Sequence, residues 1–147
     1  MVIFISVIKL VIDNQSLDLY SKYYFKQHPR ARKSPIPFSH HPSINQWMIM
    51  KRPQMNATKQ KWKDFMVWVV SQYELTDKKI NKCEMRFVTY FETHHRHDND
   101  NNSPKFILDG LTESGLIVDD DSEHVNPLIL ECYVDKENPR TEIYIYY

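Results

Sequence analysis

A run of carboxylates between Asp98 and Asp121 constrains this chain more than any other feature of its sequence. Six Asp residues fall within these 24 positions, and the last three, Asp119, Asp120 and Asp121, are consecutive. Carboxylates held a few ångström apart raise one another's pKa or bind a cation. Oxygen ligands at several separated positions suit Mg²⁺, Mn²⁺ or Ca²⁺. We therefore expect a divalent-metal site in this part of the chain.

Length and composition exclude several other classes of protein. A chain of 147 residues with 41% hydrophobic residues suits one folded domain with one core. Its two glycines, Gly110 and Gly115, are too few for a P-loop or a dinucleotide-binding loop, so we expect no nucleotide cofactor. Two isolated cysteines, Cys83 and Cys132, form neither a zinc motif nor a disulfide framework, which fits a reducing cytosol.

The first twelve residues, MVIFISVIKLVI, are almost entirely apolar. They are too few to span a bilayer. They lack the basic start and the small-residue cleavage site of a signal peptide. We therefore expect no membrane partner and a cytoplasmic location.

The net charge of zero conceals a strong asymmetry. Residues 1–97 contain 16 Lys and Arg against 7 Asp and Glu, whereas residues 98–147 contain 3 against 12. A basic half beside an acidic, metal-binding half suits an enzyme that acts on a polyanion. The alternative is that these lysines and arginines only solvate the surface.

The hydrophobic pattern predicts a single mixed α/β (α+β) domain over residues 1–147, with a small mixed β-sheet packed against helices. Strand patterns occupy 2–12 and 82–92, and the pattern of 127–135 and 141–147 predicts a C-terminal β-hairpin. We expect 2–12 to be an interior strand because it is apolar on both faces. An exposed edge of the hairpin is a candidate dimer contact.

Two helices are predicted. The first covers 56–72, with Asn56 as its N-cap and one apolar face, formed by Trp62, Phe65, Met66, Val69 and Val70. The second has Ser103 as its N-cap and Pro104 at its first position, and it stops at Gly115, with a buried stripe of Ile107, Leu108 and Leu111.

Residues 13–55 show little periodicity and contain five prolines, so we expect an irregular excursion there. Basic and aromatic side chains alternate along it, as suits the backbone and bases of a nucleic acid. The alternative is a surface flap whose aromatic residues cover the core.

The acidic segment resembles a known family. It contains DNDN (98–101), then Lys105, DGL (109–111) and GLIVDDD (115–121). This order of motifs is similar to that of the RusA-type Holliday-junction resolvases, which are small endonucleases common in phages and prophages. The resemblance is strong over about 30 residues, and the flanking strands agree with the family only in order.

The resemblance implies a homodimer that binds four-way DNA junctions in the bacterial cytoplasm and cuts them with Mg²⁺ or Mn²⁺. It implies catalytic roles for Asp98, Asp100, Asp120 and Lys105, with Asp119 as a further metal ligand. The interval from Asp100 to Lys105 is one residue longer than the common family pattern. The three consecutive acids leave Asp119 and Asp121 as rivals to Asp120.

Phosphodiester hydrolysis requires an activated water, charge relief on the phosphoryl oxygens and a stabilised leaving group. One or two Mg²⁺ ions held by Asp98, Asp100 and Asp120 supply all three, and Lys105 neutralises phosphate charge. Asp109 either supports the metal ligands from behind or only holds Lys105 in place as its i,i+4 partner. The expected DNA contacts are Lys51, Arg52, Lys59, Lys63, Arg96 and His97.

Other interpretations stay open. Residues 98–109 resemble an EF-hand Ca²⁺ loop, but Ser103 replaces its glycine and Pro104 follows. His94, His95 and His97 suggest zinc, although adjacent histidines share one tetrahedral site poorly. The Asp/Asn run is also typical of a solvated turn. A non-catalytic Ca²⁺-binding module or a degenerate phage DNA-binding protein is therefore the alternative function.

Overall fold

A computed structural model describes residues 3–36, 40–94 and 98–147, and only the backbone of Asn99 and Asp100. It forms the mixed α+β domain that the sequence predicts. In chain order the elements are β1 (Val7–Asp13), α1 (Asn14–Gln27), α2 (Ile44–Met48), α3 (Arg52–Gln72), β2 (Cys83–Phe91), a 3₁₀ turn (Asn99–Asn102), α4 (Lys105–Glu113), β3 (Val125–Val134) and β4 (Arg140–Tyr146).

The four strands form one mixed sheet in the order β1-β4-β2-β3. Strand β2 pairs with β3 in parallel and with β4 antiparallel, so β2 lies between the two C-terminal strands. The predicted C-terminal hairpin is therefore wrong, although both of its strands exist. The link 135–139 is long enough to cross one strand, since five residues reach about 16 Å. Its first residue, Asp135, is already hydrogen-bonded to Phe91 of β2.

Strand β1 is an edge strand and not the interior strand that its sequence predicts. Its even-numbered residues, Ile8, Leu10 and Ile12, are buried. On its other face Val7 stays 57% exposed, because no helix of the described ranges covers that side of the strand. Apolar residues on both faces of β1 therefore indicate an uncovered surface and not an interior position.

The 13–55 region is less irregular than predicted, because its first half forms α1. Asp13 and Ser16 form a reciprocal capping box in which each side chain accepts a hydrogen bond from the other's backbone N–H. Helix α1 buries only Tyr20, so its sequence lacks an apolar period. The capping pair was the available signal for this helix.

Helix α3 ends at Gln72 as predicted but begins at Arg52, four residues before the predicted cap Asn56. Pro53 lies in its first turn, where a missing N–H costs nothing. The predicted apolar faces of both long helices are confirmed, since all of their members are buried: Trp62, Phe65, Met66, Val69, Val70, Ile107, Leu108 and Leu111.

The helices cover one face of the sheet. Met85, Phe87, Ile143 and Ile145 point from the central strands into the same core as the helical residues. The opposite face carries charged and aromatic side chains, for example Arg140, whose guanidinium lies 3.9 Å above the ring of Tyr90. No helix in the described ranges has the length and apolarity needed to cross a membrane.

Candidate metal centre

Asp109 lies in the middle of α4 and faces α3. Its carboxylate is 3.5 Å from the amino group of Lys59, and one turn later Glu113 is 3.7 Å from Lys63. The ion pair found for Asp109 is with Lys59 of α3, and among the described residues none joins it to Lys105, its i,i+4 neighbour on α4. The close approach of the helices at Gly110 fixes this orientation, since an added Cβ would lie 2.6 Å from the Cβ of Met66.

Asp119 and Asp120 reach Asp109 through a tight reversal after α4. Gly115 adopts φ +77°, a conformation that favours glycine. The buried residues Leu116 and Ile117 then return along the start of β2, where Ile117 bridges to Ile80. The acids that follow are thereby anchored to the core.

Asp120 is the most perturbed carboxyl of this group. Partial burial raises its pKa above the usual range, and a side-chain hydrogen bond to Asp119 and the charge of Asp109 act in the same direction. The Oδ2 atom of Asp109 is buried and, within the described part of the chain, accepts no hydrogen bond. Asp109 and Asp119 thus both act on Asp120, although the three side chains are not grouped closely enough, among the described residues, to form a complete metal site. Such an all-oxygen donor set suits a hard divalent cation.

Asp121 belongs to a different local structure. Its carboxylate lies 2.5 Å from Nδ1 of His124 and accepts hydrogen bonds from the backbone N–H groups of Glu123 and His124. These contacts lower the pKa of Asp121, chiefly through the His124 side chain. Among the three consecutive acids, Asp120 therefore interacts with Asp109 and Asp119, whereas Asp121 closes a turn.

Asp98 is exposed at the start of the 3₁₀ turn. Its carbonyl accepts a hydrogen bond of 3.1 Å from the side chain of Asn102. The Asn102 side chain also lies 3.5 Å from the sulfur of Cys132 on β3. The turn is held from the other side by Asn45 of α2, whose N–H donates to Asn101. The side chain of Asp100, and both Arg96 and His97, lie outside the described residues.

The two acidic segments attach to opposite ends of β2. Asn102 contacts Cys132 of β3, whose partner on β2 is Thr89. The turn after Asp121 is instead hydrogen-bonded to Cys83, at the start of β2. Six strand residues separate these levels, a distance of about 20 Å. Within 3–36, 40–94 and 98–147, no three His, Cys, Asp or Glu side chains are grouped as a metal site.

The predicted basic residues differ in availability. Lys51, Arg52 and Lys105 are exposed at the first turns of α3 and α4. Lys59 and Lys63, in contrast, are paired with the acids of α4. The exposed cations are therefore the ones best placed to meet a phosphate backbone.

His41 supports the start of α4 and was not predicted. Pro104 occupies the N-cap position in place of the predicted Ser103 and makes no side-chain cap. The Nε2 atom of His41 instead accepts the N–H of Phe106 at 2.9 Å, while its Nδ1 lies 2.8 Å from the carbonyl of Pro42. Burial lowers the pKa of His41 to about 4. No local pattern indicates this contact between residues 65 positions apart.

The geometry also bears on the alternative metal sites. The segment before Asp98 follows a strand, β2, whereas an EF-hand loop follows a helix. Helix α4 begins at Lys105, inside the stretch that an EF-hand would need as its loop. For the zinc interpretation, His95 and His97 lie outside the described residues.

Comparison with known proteins adds no assignment. No protein-family model matches the sequence, and no curated protein matches it significantly. Any function must therefore be argued from the residues and the geometry above.

Proposed function

We propose that this chain is a Mg²⁺- or Mn²⁺-dependent endonuclease that cuts branched DNA, like the RusA-type resolvases that its acidic segment resembles. The observation that carries the proposal is the raised pKa of Asp120, on which a hydrogen bond to Asp119 and the charge of Asp109 both act. Repulsion among these carboxylates would be relieved by a cation in their midst.

The carboxylates and lysines have separate tasks in this proposal. Asp119 and Asp120 would hold the cation, and Asp109 would complete or orient the set. A divalent cation bound there would supply Lewis-acid stabilisation of phosphate charge and an acidified water. Lys59 balances Asp109 in the absence of a cation, and Lys105 would contact the phosphate from the start of α4.

Asp98 and Asp120 attach at opposite ends of β2. The resemblance assigns Asp98 and Asp100 to the same centre as Asp120, but Asp98 attaches at the other end of β2. Either junction binding draws the 3₁₀ turn towards Asp120, or the chain binds DNA through a divided and inactive centre. The second possibility is the degenerate DNA-binding protein.

DNA binding would use the exposed cations Lys51, Arg52 and Lys105, together with Arg96 and His97. Each phosphate contact releases counterions, so affinity should fall steeply as salt rises. In this proposal the protein works as a homodimer in the cytoplasm of a bacterial host and is encoded by a phage or prophage.

The deciding experiment compares a labelled four-way junction with a linear duplex of the same sequence, in Mg²⁺, Mn²⁺, Ca²⁺ or EDTA. Paired nicks in the junction alone, with Mg²⁺ or Mn²⁺, would support the proposal. Junction binding without cleavage in every metal would support the degenerate protein. Neither binding nor cleavage would contradict both, and calorimetric Ca²⁺ binding would then test the Ca²⁺ module.

Three single variants identify the centre. Asp120→Asn and Asp98→Asn should each reduce single-turnover cleavage at least about 100-fold, while junction affinity is retained. Glu113→Gln is the control, because Glu113 pairs with Lys63 outside the acidic group. If Asp120→Asn cleaves normally, the convergent group is not the metal centre. If Asp98→Asn cleaves normally and Asp120→Asn does not, the centre uses Asp109, Asp119 and Asp120 without Asp98.

A further inference from the structure

The outer edge of β1 has a defined hydrogen-bonding pattern. Ser6 and Tyr147 exchange two backbone hydrogen bonds of 2.9 Å each, which sets the register with β4. Even-numbered residues of β1 therefore direct their N–H and C=O groups towards β4, and odd-numbered residues direct theirs outward. The outward groups form the free edge of the sheet.

The second half of this edge is closed by the chain itself. The N–H of Val11 donates to the hydroxyl of Tyr73 at 3.1 Å, and that of Asp13 donates to the hydroxyl of Ser16 at 2.8 Å. The first half has no such cover, since within the described ranges no partner faces the outward groups of Ile5, Val7 and Lys9. The edge is thus open from residue 5 to residue 9.

The open half is apolar. Ile3 is 77% exposed, Ile5 is 91% exposed and Val7 is 57% exposed. Its single charged side chain, Lys9, lies 3.6 Å from Glu142 and over the ring of Tyr144, so its charge is balanced within the chain. Edge strands usually avoid pairing through exposed charge or proline, and this stretch has neither an unbalanced charge nor a proline.

We propose that a second copy of the chain pairs with this edge, β1 against β1, about a two-fold axis at Val7. Val7 then lies opposite Val7 of the second copy, and Ile5 lies opposite Lys9. Each of these pairs makes two hydrogen bonds in an antiparallel ladder. The two sheets join into one continuous sheet of eight strands, and the exposed Val7 side chains of the two copies meet on its uncovered face.

A second copy fits this edge better than an unrelated strand does. The outward backbone groups of Ile5, Val7 and Lys9 are placed evenly about Val7, so an isologous antiparallel contact of two copies pairs all of them. Because Glu142 balances Lys9 in each copy, the contact gathers no like charge. The other sheet edge, β3, begins beside Pro127 and contacts the 3₁₀ turn through Cys132. Strand β4, part of the predicted hairpin, is interior and has no free edge.

Sedimentation equilibrium without DNA tests this interface. The wild-type chain should sediment at twice its mass of 17.7 kDa. Val7→Asp places two carboxylates across the axis and should weaken association at least tenfold. Leu128→Asp, at an exposed position on β3, is the matched control and should leave the dimer intact. Circular dichroism verifies that both variants are folded.

A cross-linking variant guards against a folding defect. In a Cys132→Ala background, Val7→Cys should be bridged between chains by a short thiol cross-linker, and Leu128→Cys should not. A wild-type chain that stays monomeric up to its solubility limit would overturn the inference. So would a dimer that survives Val7→Asp but not Leu128→Asp. The inference rests on the proposed function only in giving its dimer an interface, and association is measured independently of cleavage.

Discussion

The two acidic segments of this chain are held in place by different forces. The segment at Asp98 is fixed by polar contacts of Asn45 with Asn101 and of Asn102 with Cys132, and His41 holds the start of the helix that follows. The segment at Asp119 and Asp120 follows a buried apolar run that is part of the core. A hydrogen bond to a titrating group such as His41 responds to pH, whereas buried apolar side chains do not titrate. The first segment should therefore loosen under conditions that leave the second in place.

The largest expected effect is a loss of folding stability at low pH. His41 has a pKa of about 4 in the folded chain, against an ordinary value near 6.5. The unfolded chain therefore binds this proton more readily, and stability falls as the pH drops from about 6.5 to 4. The full loss is about 3 kcal/mol, at 1.36 kcal/mol per pKa unit. Urea unfolding between pH 7 and pH 4.5 measures it.

The variant His41→Gln isolates this contribution, because glutamine accepts a hydrogen bond but does not titrate in this range. It should be less stable than wild type at pH 7 and should lose less stability on acidification. Equal pH slopes for the two proteins would show that carboxylates alone cause the acid sensitivity. Hydrogen exchange should find the amide of Phe106 exposed first, before those of Leu116 and Ile117.

The next effect concerns the core that supports the second segment. Gly110→Ala forces a methyl group to within 2.6 Å of the Met66 Cβ, so α3 and α4 must separate. Overpacking of this kind costs about 2 kcal/mol. The displacement should also move Asp109 away from Lys59. Thermal unfolding checks the cost, and Thr112→Ala, a half-buried neighbour on the same helix, serves as control. A stability loss no larger than that of the control would contradict the close packing.

The local apolar pattern correctly predicted the helix faces that pack against the sheet. It did not predict the features that depend on contacts between distant parts of the chain. Trp62, Phe65 and Leu111 recur at helical spacing, and all are buried. Strand order is non-local, so the sequence of 127–147 could not show that β2 lies between its two strands. Helix α1 escaped prediction because one buried residue, Tyr20, makes no period.

The candidate site divides in the same way. The sequence predicted Asp119, Asp120 and Asp109 as site residues, but not that α4 and its reversal would bring the charge of Asp109 to bear on Asp120. It grouped Asp98 with them because the four positions are close along the chain. The path of β2 separates them in space, and a pattern of spacings does not contain that path.

A smaller effect tests the polar support of the first segment. Asn102→Ala removes the hydrogen bond to the carbonyl of Asp98 and the contact with Cys132. Because these contacts are partly exposed to solvent, the loss should be about 0.5 kcal/mol. If the turn must be held for cleavage, activity should fall much more than stability. Parallel measurement of urea unfolding and junction cleavage distinguishes this from a general loss of fold.

The smallest effect has the opposite sign. The raised pKa of Asp120 means that its folded state binds a proton more tightly than its unfolded state, so ionisation at pH 7 costs stability. Asp120→Asn should therefore stabilise the chain at pH 7 by a few tenths of a kcal/mol, about the size of a screened charge contact.

In the wild type, Mg²⁺ or Mn²⁺ should raise the melting temperature by relieving the same repulsion. Asp120→Asn should largely abolish that rise, and Asp98→Asn should preserve it if the two segments stay apart in the free protein. A rise lost equally in both variants would show that one cation already joins the two segments without DNA.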